Sequence, residues 1–248
     1  MIPKILHYVW LGCGEPSETI KRCFESWKVY LPDYKVMRWD ETNFDISNAP
    51  LFVRQAYEAR KWAFAADFIR CSVLYQYGGV YLDTDVEVRK PLDEFLNNGL
   101  FISTQVFSVD ISKNKKSTVT NLSIGVIGCE KGHPYIKKCM DTISESSFYN
   151  NDGTPNTKVI NYTMSSILQN EYGFLVEDKK QELRDNIIVY PSSMFADRLS
   201  PTPSPNSYTY HWGEMSWFQP KRRGILYKIC WAINLMKLYH WIETIRNK

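Results

Sequence analysis

Asp83 and Asp85 stand one residue apart in AADFIRCSVLYQYGGVYLDTDVEV, residues 65–88. Residues i and i+2 of a strand face the same side, so a strand over 80–88 lets both carboxylates share one divalent cation. Hard cations such as Mn²⁺ or Mg²⁺ take oxygen ligands, often one or two carboxylates together with substrate phosphates. The pair therefore points to an enzyme that handles a diphosphate through a metal. Tyr81 shares their strand face. Sixteen and thirteen residues before Asp83, Asp67 and Arg70 sit at i and i+3 of a helical run whose neighbours Phe64, Ala65, Ala66, Phe68 and Ile69 are apolar. Charges in such a segment need partners.

The elements that must position these groups read as α/β. Residues 2–10 form a first strand closed by Leu11-Gly12, Ser17 caps a helix that Pro32 ends near Tyr30, and 34–39 form a second strand. This β-α-β opening is the unit of a parallel sheet. Helices follow over 51–60 and 63–77, ended by Gly78-Gly79, and then the aspartate strand. A short strand over 100–104, an exposed lysine-rich loop over 108–120, a strand over 122–129 and a helix over 134–145 come next. A turn-rich break spans 150–156, a helix 159–171 and a strand 187–190; the proline-rich 199–208 is irregular, and 224–246 form a last helix.

Composition narrows the function. The 248 residues carry a net charge of +3, too small to suggest nucleic-acid binding, and 15% are aromatic. Flat aromatic faces suit sugars as well as cores. The six cysteines are scattered without a CxxC, which excludes a cysteine zinc framework and fits a reducing compartment. No apolar run approaches the ~18 residues of a membrane span. From 221 to 248 the chain has seven Lys or Arg against one Glu, with Trp231, Tyr239 and Trp241 among helically spaced apolar residues. A basic amphipathic helix of this kind can lie on an anionic membrane. The expected organisation is a catalytic domain over 1–220 and this tail over 221–248.

Three stretches, ILHYVWLG, the 65–88 segment and HWGEMSW, resemble glycosyltransferase family 32, the DxD sugar transferases. That group includes bacterial capsule and O-antigen transferases, Golgi mannosyltransferases and, distantly, clostridial toxin glucosyltransferase domains. The resemblance implies a GT-A fold with a mostly parallel central sheet, a nucleotide-sugar donor, a divalent metal and retention of anomeric configuration. It assigns Asp85 as direct metal ligand and Asp83 to the ribose or a metal-bound water. Asp67 and Arg70 go to the donor sugar, and Trp10 to the base, with Val9 and Leu11 offering backbone groups. Tyr81 lines the donor pocket. His211 is a further metal ligand, with Glu214 the competing choice. Ser216 and Trp217 form a lid over the diphosphate, and Asn121 with Ser123 sits near the acceptor cleft.

No second carboxylate suits a covalent nucleophile, so same-face attack is expected, with the leaving phosphate taking the acceptor's proton. The donor expected first is a UDP-hexose and second GDP-mannose. The acceptor is a glycan or lipid-linked oligosaccharide of a bacterial surface polysaccharide, and the enzyme is cytoplasmic, peripheral on the inner face of the plasma membrane. The competing readings are a haloacid-dehalogenase-like phosphohydrolase, whose Gly-Thr after the second Asp is here Val86-Glu87, and an inactive carbohydrate-binding scaffold.

Overall fold

A computed structural model describes residues 1–12, 14–112, 115–156, 160–195 and 204–214. Strand β1 (Ile5–Val9) is followed by helix α1 (Glu18–Tyr30) and strand β2 (Lys35–Trp39). In α1 the buried residues Thr19, Ile20, Cys23 and Trp27 recur at helical spacing, and the Ser17 hydroxyl accepts from the Ile20 N–H as N-cap. Helices α2 (Leu51–Glu58) and α3 (Trp62–Tyr77) lead to β3 (Gly79–Leu82). Gly78 and Gly79 take φ of 66° and 111°, conformations that free the chain to turn from α3 into β3.

After β3 the chain leaves the main sheet. Short strand β4 (Val86–Val88) pairs instead with β9 (Thr209–His211), antiparallel, in a separate two-stranded sheet. Strands β5 (Leu100–Ser112) and β6 (Lys115–Cys129) form a long hairpin, followed by α4 (Pro134–Ser144) and α5 (Ile160–Tyr172). Strands β7 (Gln181–Leu183) and β8 (Ile187–Tyr190) and the short α6 (Ser192–Phe195) complete the described elements.

The main sheet has the order β2-β1-β3-β6-β5-β8-β7. Strands β2, β1, β3, β5 and β8 run one way and β6 and β7 the other, so the sheet is mostly parallel in direction. From β1 the chain passes to β2 on one side and then to β3 on the other. Such a reversal opens a crevice at the carboxyl ends of the two inner strands, where α/β proteins bind ligands.

Alternating side chains feed two cores. Val9, Tyr81, Ile127, Leu100 and Val189 pack toward α2–α5 with Phe68, Leu74, Ile136 and Leu168. Leu6, Val80, Leu82, Val126 and Phe101 pack on the other face with Trp27, Phe95 and Phe195. Cys23, Cys71, Cys129 and Cys139 are buried free thiols.

Three expectations change. Residues 108–120 are not a loop: register runs to Ser112↔Lys115, and the sequence there holds the β-branched residues Val109, Ile111, Thr118, Val119 and Thr120 as well as its lysines. The 80–88 strand is broken at 83–85. Strand β7 and helix α6 add to the expected elements. The helix read over 224–246, with the rest of the tail, lies outside the described residues.

Candidate active site

Asp83 directly follows β3, and Thr84-Asp85 form the turn into β4. The Val86 N–H donates to the Asp83 carbonyl at 3.0 Å and closes that turn, while the Asp83 N–H donates to the Gly125 carbonyl of β6 at 2.8 Å. The two aspartates therefore do not converge by strand alternation. A tight turn at the carboxyl end of β3 brings them together, because Val80, Leu82, Val86 and Val88 share one core while β3 pairs with β6 and β4 with β9.

Strand β9 completes the group. Its register sets His211 opposite Val86. His211 Nε2 lies 3.0 Å from Asp85 Oδ1 and 3.9 Å from Asp83 Oδ2. One ligand atom from each of Asp83, Asp85 and His211 can be chosen so that all lie within 4.8 Å of one another. His211 Nδ1 is buried and has no hydrogen-bond partner among the described residues. Nε2 faces Asp85, and this second nitrogen lies beside the backbone of Gly125.

Beside it is Gly125. A Cβ built there would stand 2.9 Å from His211 Nδ1 and 3.1 Å from Asp83 Oδ2, so any larger residue would occupy the space between them. Two carboxylates, an imidazole and a glycine-sized opening fit a hard or borderline divalent cation. Of the two choices for the third ligand, the geometry favours His211. The Glu214 carboxylate accepts from the Ser17 hydroxyl at 2.8 Å, and only its backbone N–H reaches Asp85 Oδ2, also at 2.8 Å.

Arg70 joins this turn to α3. Its Nη2 lies 3.1 Å from Asp67 Oδ1 and 3.2 Å from Asp83 Oδ1, and Nη1 donates to the Ile124 carbonyl at 2.6 Å. The guanidinium carbon also sits 4.6 Å from the centre of the Tyr81 ring, whose hydroxyl donates to Asp83 Oδ1 at 3.1 Å. Burial opposes the charge on Arg70, but Asp83, Tyr81 and Asp67 raise its pKa overall. The Asp67 carboxyl is raised to about 7, by burial foremost, with Arg70 opposing the rise and Asp83 adding to it. Tyr81 is raised by burial foremost and stays a hydrogen-bond donor.

The remaining expected residues are placed differently. Trp10 is half-buried just beyond β1, at the same edge of the sheet as Asp83, with its indole N–H on the Gly14 carbonyl at 2.9 Å. Val9 and Leu11 are buried core residues. No hydrogen bond among the described residues ties Trp10 to the aspartates. Asn121 lies on β6 opposite Gln105, and its side-chain oxygen accepts from the Leu122 N–H, while Ser123 is buried. Among the described residues no side-chain hydrogen bond joins Asn121 or Ser123 to the aspartates. Ser216 and Trp217 lie outside the described residues.

Sequence reasoning missed Gly125, the Ile124 carbonyl and the Glu214 N–H. An isolated glycine inside a strand run was the available signal for the first, since it marks close approach. The backbone groups carry no residue-type signal.

A metal-fitting acidic turn at the crevice of an α/β sheet, braced by a buried Asp–Arg pair, is the kind of site a nucleotide-sugar enzyme uses. Residues 17–102 match the family described as "Glycosyltransferase sugar-binding region containing DXD motif". An uncharacterized glycosyltransferase of Acanthamoeba polyphaga mimivirus is 28% identical over 226 residues, 88% of this chain and 84% of that one. Inositol phosphoceramide mannosyltransferase 3 of Schizosaccharomyces pombe is 27% identical over 154 residues, which cover 59% of this chain and 38% of the yeast protein. Among solved structures, PaToxG glycosyltransferase aligns with a TM-score of 0.49 at 20% identity, covering 68% of this chain and 70% of that one. Residues 17–102 therefore match the sugar-binding region of the DXD glycosyltransferases, and the chain reads as a glycosyltransferase. The phosphohydrolase and inactive-scaffold readings are set aside accordingly.

Proposed function

We propose that this glycosyltransferase is metal-dependent and retaining, and moves a hexosyl unit from a nucleoside-diphosphate sugar to a glycan or lipid-linked acceptor. The observation that carries the reading is the convergence of Asp83, Asp85 and His211 beside the Arg70–Asp67 pair. Asp83, Asp85 and His211 would hold Mn²⁺ or Mg²⁺, which when bound neutralises charge on the departing diphosphate. Arg70 donates to the sugar or the phosphate next to it, and Asp67 accepts from sugar hydroxyls. Tyr81 fixes Asp83, and Trp10 offers its face to the base. The bond from the anomeric carbon to the phosphate breaks as the bond to the acceptor oxygen forms on the same face, and the acceptor's proton passes to the departing phosphate. The protein supplies positioning and a preorganised field.

A UDP-hexose is the first donor to test. GDP-mannose is the second reading, supported by the names of the Schizosaccharomyces pombe inositol phosphoceramide mannosyltransferases, of which this chain spans well under half in length. A bacterial surface polysaccharide remains the proposed product. No helix among the described residues is long and apolar enough to cross a membrane. The basic tail over 221–248 is proposed to hold the enzyme on anionic bilayers; liposome flotation should recover the full chain and not the chain cut at 220, and equal recovery would reject this.

The activity test is incubation with UDP-hexoses and GDP-mannose in Mn²⁺, followed by NMR of the released or transferred sugar. The expected result is nucleoside diphosphate release with a retained anomer. An inverted anomer overturns the same-face mechanism, and no release from any donor overturns the reading.

A further inference from the structure

Strand β9 turns its two sides to different neighbours. Thr209 and His211 stand opposite the buried Val88 and Val86. The residues that alternate with them, Tyr208, Tyr210 and Trp212, are all aromatic. Each has a cation over its ring: Lys90 Nζ lies 5.0 Å from the centre of Tyr208, the Arg89 guanidinium 5.1 Å from Tyr210 and the Arg22 guanidinium 4.1 Å from Trp212. Glu87, opposite Tyr210 in β4, ties this ladder together. Its carboxylate accepts from the Trp212 indole N–H at 2.9 Å and lies 3.5 Å from Arg22 Nη2 and 3.7 Å from Arg89 Nη2. We propose that Glu87 and Trp212 are positioning residues: their hydrogen bond fixes the end of β9 and so holds His211 where it can bind a metal. The inference rests on the metal-dependent reading above.

Strands β4 and β9 have three residues each and form a sheet of their own. Two paired strands alone are at best marginally stable in water, so backbone pairing does not by itself hold His211. Side chains around the small sheet must do so. Helix α1 secures β4: the Trp27 indole N–H donates to the Val86 carbonyl at 2.8 Å, and the Ser26 hydroxyl accepts from the Val88 N–H at 2.9 Å. The start of β9 is secured by the Thr209 hydroxyl, which donates to the Phe195 carbonyl at 2.6 Å. Its other end, next to His211, is secured by Trp212. The Trp212 backbone N–H donates to the Asp85 carbonyl at 3.0 Å, and its indole N–H reaches Glu87.

Of the contacts in the ladder, the indole–carboxylate bond carries most. A hydrogen bond to a charged acceptor is among the stronger kinds, and the Glu87 side chain is only 20% exposed. The Arg22 side chain is 54% exposed, so water screens its 3.5 Å approach to the same carboxylate. Val86, next to Glu87 on the strand, faces the core, which sets Glu87 on the opposite side of the small sheet from His211. A change at Glu87 therefore removes no metal ligand. It reaches the metal-fitting group only through Trp212 and the strand end that carries His211. Loss of a group that orients a ligand from behind typically costs about 10–100-fold in metal affinity.

Three variants test this: Glu87→Ala, which removes the acceptor; Glu87→Gln, which keeps an acceptor oxygen; and Trp212→Phe, which keeps a ring and loses the indole N–H. Mn²⁺ is titrated into each full chain, with and without UDP, and followed by EPR. Pulsed EPR reads the coupling of an imidazole nitrogen to the bound Mn²⁺, and the melting temperature checks the fold. Glu87→Ala and Trp212→Phe should each weaken Mn²⁺ binding about 10–100-fold and lose the nitrogen coupling, as His211→Ala does. Glu87→Gln should recover the coupling and most of the affinity. Unaltered Mn²⁺ binding with the coupling intact in Glu87→Ala and Trp212→Phe overturns the proposal while the metal-dependent reading stands. A loss in Glu87→Gln as large as in Glu87→Ala also overturns it, because the hydrogen bond would then not be what holds His211. Absence of nitrogen coupling in the unaltered chain takes His211 off the metal and overturns the proposal together with that part of the reading.

Discussion

Arg70 is held by two carboxylates and a carbonyl, so its guanidinium is fixed before any ligand arrives. Fixed donors cost no reorganisation as charge develops, and this is where catalysis by electrostatics gains most. Arg70→Ala should lower transfer by roughly 10²–10³ while metal-dependent affinity for the free nucleoside diphosphate stays close to the unaltered chain. Steady-state kinetics and calorimetric titration check the two halves. Equal loss of both would mean that Arg70 serves to hold Asp83 and not the transfer step. Lysine should not rescue it, because a single ammonium cannot meet Asp67, Asp83 and Ile124 with the planar fork of arginine.

At the scale of elements, the site depends on three pieces of chain that sequence separation hides. The turn over 83–85 is gripped from β6 through Gly125 and from β9 through His211, Trp212 and Glu214. Gly125→Ala would put a methyl between His211 Nδ1 and Asp83 Oδ2. Its stability cost should stay within about 1–3 kcal/mol, the ordinary range for overpacking, yet Mn²⁺ affinity should collapse. Thermal melting and metal titration on the same sample separate the two; a variant that binds Mn²⁺ normally would remove Gly125 from the site. Helix α1 was legible because its signals are local: Ser17, the spacing of Ile20, Cys23 and Trp27, and Pro32. The aspartate pair was legible as chemistry but not as geometry. The alternation over 80–88 is unbroken in sequence, and only the pairing of Val86 with His211, 125 residues later, bends it into a turn. The 108–120 segment misled because its lysines masked its β-branched residues. His211 was found through the resemblance to a family; Gly125, and the backbone groups at 124 and 214, needed the fold.

At the scale of the whole molecule, the sheet's reversal between β1 and β3 creates the crevice, and the two cores on its faces hold the crevice rigid. A buried histidine links that frame to pH. His7 is fully buried in β1, its Nε2 facing the Gly78 carbonyl at 2.8 Å and its Nδ1 accepting from the Trp39 indole N–H at 3.0 Å. Burial lowers its pKa from 6.5 to about 4. The unfolded chain therefore binds the proton first, so this contribution is intact above pH 6.5 and is lost as pH falls toward 4, by about 3 kcal/mol at most. Denaturant unfolding across pH 7 to 4 should show that slope, and His7→Gln should flatten it; an equal slope in both would place the acid sensitivity elsewhere. The mostly parallel sheet was foreseeable from the β-α-β opening, whereas the small β4–β9 sheet that carries His211 to the aspartates was not, because its strands are three residues each. The central claim is that Asp83, Asp85 and His211 hold a divalent cation against a nucleoside diphosphate. Calorimetric titration of UDP and GDP into the full chain, with and without Mn²⁺, and into Asp85→Asn and His211→Ala, tests it most directly. Binding that requires Mn²⁺ and falls at least about 100-fold in both variants, with melting temperatures unchanged, is the expected result. Binding that is indifferent to the metal, or equally strong in the variants, would contradict the account.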